Sequence, residues 1–287
     1  MTYGRFQTIA HIGRFSLTTA NAGRLADFYE QAFNCRKAGT DRLEGADFER
    51  LMEVQGGAAR KTLHLGRELV ELLQFDKPGA AYPADTSASN SVFQHFAIVV
   101  SDMAEAYRHL LTIPGWTPIT RGGPQTLPQS SGGVTAFKFR DPEGHPLELL
   151  AFAMHNTPAR WTVRPDSGLF LGIDHTAISV RDAAASTAFY ERLGFRASAQ
   201  THNHGIEQVR LDDIAGARVE VTAMEAQNAT PHLELLCYRT SPPAQRAHRS
   251  NDIASTRIVL ENTAQRMPPI LLQDRDGHHL LITSSAA

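Results

Sequence analysis

The chain has 287 residues, 42% of them hydrophobic and 20% charged, with a formal net charge of -2. That length supports more than one hydrophobic core, and a near-neutral chain without a dense Lys/Arg stripe excludes a nucleic-acid surface. No run of about 18 uncharged apolar residues occurs, and the N-terminal MTYGRFQTIAHIGRF has no long apolar core of a secretory signal, so the sequence reads as cytoplasmic with no membrane partner.

Residues 8–20 alternate as a strand, and Asn21 stands at a helix N-cap before Leu25, Phe28, Tyr29 and Phe33 at helical spacing. Short turn-bounded segments follow at Arg36 to Asp41, Phe48 to Val54, Arg60 to Leu65 and Leu69 to Phe75, which completes a β-α-β-β-β unit. A polar stretch from Asp76 to Asn90 leads to a second unit. In it Phe93 to Val100 is the strand, Asp102 the helix cap, Arg121 to Gly133 a Gly/Pro/Ser-rich loop that could form a lid, and FKFRDPEGHPLELLAF, Phe137 to Phe152, the closing hairpin.

Residues 153–170, with Pro158, Pro165 and Gly168, read as a linker. The third unit then runs through Ile173 to Val180, the cap Asp182, the helix Ala185 to Leu193, and strands at Gln208 to Leu211, Val219 to Ala223 and Leu233 to Tyr238. The fourth is degraded: only Asn262 to Met267 separates its first strand from Pro268-Pro269, too short for a full amphipathic helix. The paired aromatics Phe28-Tyr29 and Phe189-Tyr190 share a helical phase and read as helix-to-sheet packing. Cys35 and Cys237 read as small buried hydrophobes.

The closing strands recur. Leu69-Val70-Glu71-Leu72-Leu73, Pro146-Leu147-Glu148-Leu149-Leu150 and His232-Leu233-Glu234-Leu235-Leu236 carry a carboxylate in one frame, and Asp274 to Leu281 copies the turn but puts Leu281 at the carboxylate position. A carboxylate among leucines is costly to bury alone, so these glutamates face solvent or a cavity that holds a cation. His145, His278 and His279 follow the tight turns and read as solvent-facing or turn-stabilising. His202-Asn203-His204 reads as a loop, and Glu49 and Glu207 as strand-edge charges.

Together the paired β-α-β-β-β units, the His175-x-x-Ile-x-Val-x-Asp182 opening strand with its Phe-Tyr helix, and the DPEGHPLEL closing strand resemble the vicinal oxygen chelate superfamily. That superfamily comprises glyoxalase I, bleomycin-resistance proteins and extradiol dioxygenases. The resemblance implies an α+β fold of four βαβββ units paired into two domains, residues 1–152 and 171–287 joined by 153–170, each a curved mixed sheet enclosing a cavity. It also implies that metal ligands come from the first and last strands of each unit. Carried over by position, these are Arg14, Glu71, His95 and Glu148 in the first domain and His175, Glu234, Ser255 and Leu281 in the second.

The expected metal ligands are therefore Glu71, His95 and Glu148, with Glu71 or Glu148 as a general base and a vestigial pair His175 and Glu234 in the second domain. The ion would be Fe, Mn, Ni or Zn. Arg14 departs from this pattern. It would repel a divalent ion by several kcal/mol if close, or serve as a substrate anchor paired with Glu71 or Glu148 in a metal-free pocket. His11 lies on the opposite face unless the strand bulges. Two functions follow: a metal-dependent glyoxalase- or dioxygenase-like enzyme for a small oxygenated substrate, or a non-catalytic small-molecule binder of the bleomycin-resistance type with no metal. A homodimer is compatible with either.

Overall fold

In the computed structural model, which describes residues 9–228, 230–239, 247–262 and 267–284, all four units are laid out on one plan. The first comprises β1 (Ile9–Thr18), α1 (Ala22–Phe33), β2 (Arg36–Leu43), α2 (Ala46–Met52), β3 (Ala58–Leu65) and β4 (Glu68–Phe75). The second comprises β5 (Gln94–Val100), α3 (Met103–Leu111), β6 (Thr117–Pro118), β7 (Gln125–Thr126), β8 (Thr135–Arg140) and β9 (Pro146–Ala151). The third comprises β10 (Phe170–Ser179), α4 (Ala183–Arg192), β11 (Arg196–His204), α5 (Ile206–Asp212), β12 (Arg218–Glu225) and β13 (His232–Tyr238). The fourth contributes β14 (Arg257–Asn262), β15 (Ile270–Gln273) and β16 (His279–Ser284); most of the segment Asn262 to Met267, read as too short for a full helix, falls on residues 263–266, outside the described residues.

Asn21, Asp102 and Asp182 cap α1, α3 and α4 by accepting the backbone N–H three residues on. The strands expected at Phe48 to Val54 and Gln208 to Leu211 are instead the helices α2 and α5. Phe48 and Met52 fall four residues apart, so a helix buries both on one face where a strand would bury them with Arg50 between. Gly45 and Gly205 open these helices at φ of 96° and 101°. Glu49 and Glu207 sit in the first turn of each, which corrects their reading as strand-edge charges. His202 and His204 lie on the edge strand β11 rather than in a loop.

The first and last strands of every unit are parallel neighbours: β1 with β4, β5 with β9, β10 with β13 and β14 with β16. The units do not pair in sequence order. The seven-stranded sheet runs β15-β16-β14-β1-β4-β3-β2 and the nine-stranded sheet β11-β12-β13-β10-β5-β9-β8-β6, with β7 on β8. Unit one is thus joined to unit four through the antiparallel pair β1–β14, and unit two to unit three through β5–β10. This corrects the expected pairing of units one with two and three with four, because β9 and β10, which flank 153–170, belong to one sheet. The segments that change sheet are 76–93 and 239–256. They bind each other on the way: Gly79 N–H donates to Asn251 O, Ile253 N–H to Ala80 O, and Ala80 N–H to Asp252 Oδ1.

One face of each sheet and the helices α1, α3 and α4 form the central core. Phe15 of the seven-stranded sheet stacks on Phe96 of the nine-stranded sheet at 5.5 Å, and Phe33 of α1 packs against Phe139 and Phe170. Both cysteines are buried and free. Among the described residues no helix is long and apolar enough to cross a membrane.

The closing turns bind the two halves together. Asp141 accepts the N–H groups of Glu143 and His145, and Tyr29 Oη of α1 donates to it at 3.3 Å. Asp274 repeats the device with Asp276, His278 and Tyr190 Oη of α4 at 3.0 Å. His145, His278 and His279 are buried, so their solvent-facing reading does not hold, whereas His145 does stabilise its turn. His145 Nδ1 meets Asp141 Oδ2 at 2.8 Å and Nε2 meets the carbonyls of Thr18 and Ile253 at 2.9 and 3.1 Å. Every partner is an acceptor, so both nitrogens must donate and the ring is an imidazolium. Burial alone would lower its pKa, but Asp141 outweighs that and the net direction is upward.

Because the folded-state pKa is raised, the stability contributed by His145 is fully present below the ordinary value of 6.5 and is lost as the pH rises through the folded-state value. Urea unfolding of the wild type and His145→Gln should show a difference that narrows with rising pH; a difference that widens would mean the ring is neutral in the fold. Tyr29→Phe and Tyr190→Phe should each cost about 1 to 3 kcal/mol and add within about 0.5 kcal/mol, since they release separate buried aspartates.

Candidate metal centre

The antiparallel pair β5–β10 sets His95 opposite Ala177 and Ala97 opposite His175, so the two imidazoles point from one face as diagonal neighbours with ring centroids 5.9 Å apart. On either side the last strands supply a carboxylate, Glu148 beside Ala97 and Glu234 beside Ala177. Four strands from two units therefore place four donors on the face away from the central core. A cavity of about 360 Å³ opens over them, walled by apolar side chains that include Leu127, Leu150, Phe152, Leu211 and Val221.

One donor atom each from His95, Glu148 and His175 falls within 4.8 Å of the others, and all three residues are buried. His95 Nε2 lies 2.8 Å from Glu148 Oε2, yet not in line for a hydrogen bond, and neither ring nitrogen of His95 has a hydrogen-bond partner. Glu234 completes the set with Oε2 3.5 Å from His175 Nε2. Burial lowers the His95 pKa, which leaves a neutral ring with a free lone pair, the form a metal ligand needs. His175 behaves differently: burial lowers it, but Glu234 and Asp174 outweigh that and raise it to about 9. Glu148 is pushed up by burial and held below its ordinary value chiefly by the Lys138 ammonium. Glu234 is held at about 2 by His175 and His232 against burial.

A second layer orients His175. Its Nδ1 meets Asp174 Oδ2 at 3.1 Å, and Trp161 Nε1 donates to Asp174 Oδ1 at 2.6 Å. Trp161 comes from the 153–170 segment, so that segment positions a site residue. His232 stands beside Glu234 with Nε2 3.6 Å from its Oε1.

The equivalent face of the seven-stranded sheet is a closed version of the same frame. Ladder positions give Arg14 and Glu71 from unit one, and Arg257 and Leu281 from unit four, since Val259 pairs with Leu281 as Ala97 pairs with Glu148. Arg257, two residues from Ser255, thus holds the fourth opening-strand position. Arg14 Nε binds Glu71 Oε1 at 2.8 Å, Arg60 binds the same oxygen at 3.0 Å, and Arg14 Nη1 reaches Glu261 at 3.0 Å. β1 does bulge between Ile12 and Arg14, which lets His11 meet Glu261 at 3.2 Å, but the contact joins this ion-pair cluster. Phe48 and Met52 of α2 pack with Leu73, Phe75, Val259 and Leu281 over the face.

Of the expected site residues, His95 and Glu148 come together, joined by His175 and Glu234, which had been assigned to a vestigial second site. Glu71 does not join them: it lies on the other sheet, its carboxylate shared by two arginines, so its expected roles as ligand and base are withdrawn. Arg14 has the carboxylate partner foreseen for a metal-free pocket and lies outside the cavity. Ser255 instead donates to or accepts from His279 Nδ1 at 2.9 Å. The loop 121–133 does reach the cavity, through Leu127, Ser131 and Gly132. Asp174, Trp161, His232 and Lys138 were not foreseen, although a charged Lys138 inside a buried alternating strand was a visible signal.

The model of the Glyoxalase/Bleomycin resistance protein/Dioxygenase superfamily matches residues 172–285. Over 96% of this chain and 92% of the other, the structure is similar to glyoxalase I from Zea mays, with a TM-score of 0.57 at 15% identity. It is similar over 98% of this chain and 86% of the other to a putative dioxygenase from Bacillus subtilis subsp. subtilis str. 168, with a TM-score of 0.57 at 11% identity. No curated protein sequence matches the chain. The resemblance to the vicinal oxygen chelate superfamily holds, and the whole chain has its α+β fold of curved mixed sheets.

Glu71→Gln should leave metal uptake at the wild-type level and lower stability by about 3 kcal/mol, because Arg14 and Arg60 lose a shared buried partner. Calorimetric metal titration and urea unfolding of one preparation read both; lost uptake with unchanged stability would return Glu71 to the metal site.

Proposed function

From this fold and site we propose that the protein is a divalent-metal-dependent enzyme of the glyoxalase or dioxygenase type, acting on a small oxygenated molecule in the cavity of the nine-stranded sheet. The observation that carries this reading is His95. A buried imidazole with neither nitrogen hydrogen-bonded costs about 1 to 3 kcal/mol, and a cation held jointly with Glu148 and His175 would satisfy it. Two imidazoles and two carboxylates suit Fe(II), Mn, Ni or Zn. When bound, such an ion supplies Lewis-acid polarisation of a substrate oxygen.

The chain's own residues divide the remaining work. Asp174, fixed by Trp161, holds the His175 ring in one orientation. Leu127, Leu150, Phe152 and Leu211 keep water from the substrate. The two glutamates are not equivalent. Glu148 is buried between His95 and Lys138, whereas Glu234 is more exposed and meets only histidines. Glu234 is therefore the more accessible of the two to a bound molecule, with His232 beside its Oε1. The likeness to glyoxalase I and to a putative dioxygenase supports this reaction class.

Elemental mass spectrometry of protein purified without chelators should find about one divalent ion per chain in the wild type and a large loss in both His95→Ala and His175→Ala. Retention in His175→Ala would sink the shared site, and a metal-free wild type would leave the small-molecule binder as the reading. With metal-loaded protein, an oxygen electrode separates the two chemistries: an oxygenase consumes O2 with a small diol or hydroxy-carbonyl substrate, and an isomerase does not.

A further inference from the structure

The two halves of the cavity are built from equivalent strands, but only one holds a lysine. In the β8–β9 ladder Lys138 stands opposite Glu148, whereas in the matching β12–β13 ladder Ala223 stands opposite Glu234. Lys138 is 4% exposed and lines the cavity. Its Nζ lies 2.7 Å from Asp212 Oδ1 and 4.0 Å from Glu148 Oε2, the second beyond hydrogen-bond range.

An ammonium has three N–H donors. Among the described residues Asp212 is the hydrogen-bond partner of Lys138, and Glu148 adds attraction without a bond. Asp212 is itself held on its other oxygen by Gln208 Nε2 at 2.5 Å and Tyr238 Oη at 3.0 Å, so it fixes the lysine from the α5 side. What remains is a positioned charge with donor capacity to spare at the cavity. Buried donors left without acceptors are costly. A ligand oxygen in the cavity is the acceptor that would use this capacity.

We propose that Lys138 is the oxyanion anchor of this cavity, donating to a negatively charged carboxylate, enolate or phenolate oxygen of the bound molecule and so selecting ionised substrates. The inference rests on the proposed metal centre only for the position of a second ligand oxygen. It also gives the cavity a polarity: the more anionic oxygen lies toward Lys138 and away from Glu234 and His232. A purely structural role, with Lys138 there only to neutralise Asp212, makes the opposite prediction for two of the variants below.

The test titrates wild type, Lys138→Met, Asp212→Asn and the double variant Lys138→Met/Asp212→Asn with oxalate and with 4-nitrocatechol, each with and without Mn(II). The double variant removes both charges together, so no buried carboxylate is left unpaired if the single variant fails to fold. Removing a hydrogen bond to a charged group should weaken probe binding about 10- to 100-fold in Lys138→Met and in the double variant. Asp212→Asn, which keeps the ammonium and frees it, should bind the probes as tightly as wild type or more so. Loss with oxalate alone assigns the anchor to carboxylates, and loss with 4-nitrocatechol alone to phenolates and enolates. A wild type without metal whose probe affinity still falls in Lys138→Met supports the anchor and sinks the metal reading alone. Unchanged probe affinity in the folded double variant, weaker binding in Asp212→Asn, or a wild type that binds neither probe would overturn the anchor.

Discussion

Everything about the candidate site depends on the antiparallel ladder between β5 and β10. Strand pairing of this kind places residues two positions apart on facing strands within side-chain reach, and here it brings His95 of one unit to His175 of another. The carboxylates then follow, because each opening strand already carries its unit's last strand as a parallel neighbour. Neither unit holds a complete ligand set. The ladder converts two half-sets into one, and a shift of its register by one residue would leave one imidazole facing the cavity and turn the other into the central core.

The same plan gives a different result on the seven-stranded sheet. There the ladder joins Arg14 and Arg257, and cationic groups at two donor positions exclude a cation by simple repulsion. Glu71 and Glu261 bind Arg14, Arg257 donates to the carbonyls of Ser250 and Ser255 and to Thr18 Oγ1, and Phe48, Met52 and Leu281 fill the volume. One half of the molecule thus fills the face away from the central core with packing, and the other keeps the equivalent face hollow and lined with ionisable groups. Marginal stability makes this division reasonable: a hollow lined by buried ionisable groups is destabilising, and a second, filled half offsets it.

Much of this was legible in the sequence and one decisive part was not. The repeated Leu-x-Leu frame with its glutamate, the capped helices and the opening histidines identified all four donors of the candidate centre by number. What the sequence did not reveal was which units meet. The connections 76–93, 152–169 and 239–256 are equally long, so length does not tell a link within a sheet from one between sheets, and adjacency in sequence was the wrong guide. The fourth unit's register was recoverable: Arg257 precedes Leu260 as His175 precedes Ile178 and His95 precedes Ile98, a spacing that favours Arg257 over Ser255. The helices α2 and α5 were missed because a seven-residue helix has too few turns for its period to stand out from alternation. Lys138 was visible as a charge in an apolar strand, but its partner Asp212 comes from a helix of another unit.

The order of the strands has a consequence for how the molecule is made. The nine-stranded sheet is assembled from an unbroken run of chain, β5 to β13, whereas the seven-stranded sheet encloses that run and joins unit one to unit four. During synthesis the hollow, ligand-bearing half can therefore close on itself while β1 still presents an unpaired edge, waiting for β14 to leave the ribosome. Closure of β1 on β14 is long-range and slow by loop-entropy arguments, and the mutual hydrogen bonds of the two sheet-crossing segments, 76–93 and 239–256, are the latch that ends it.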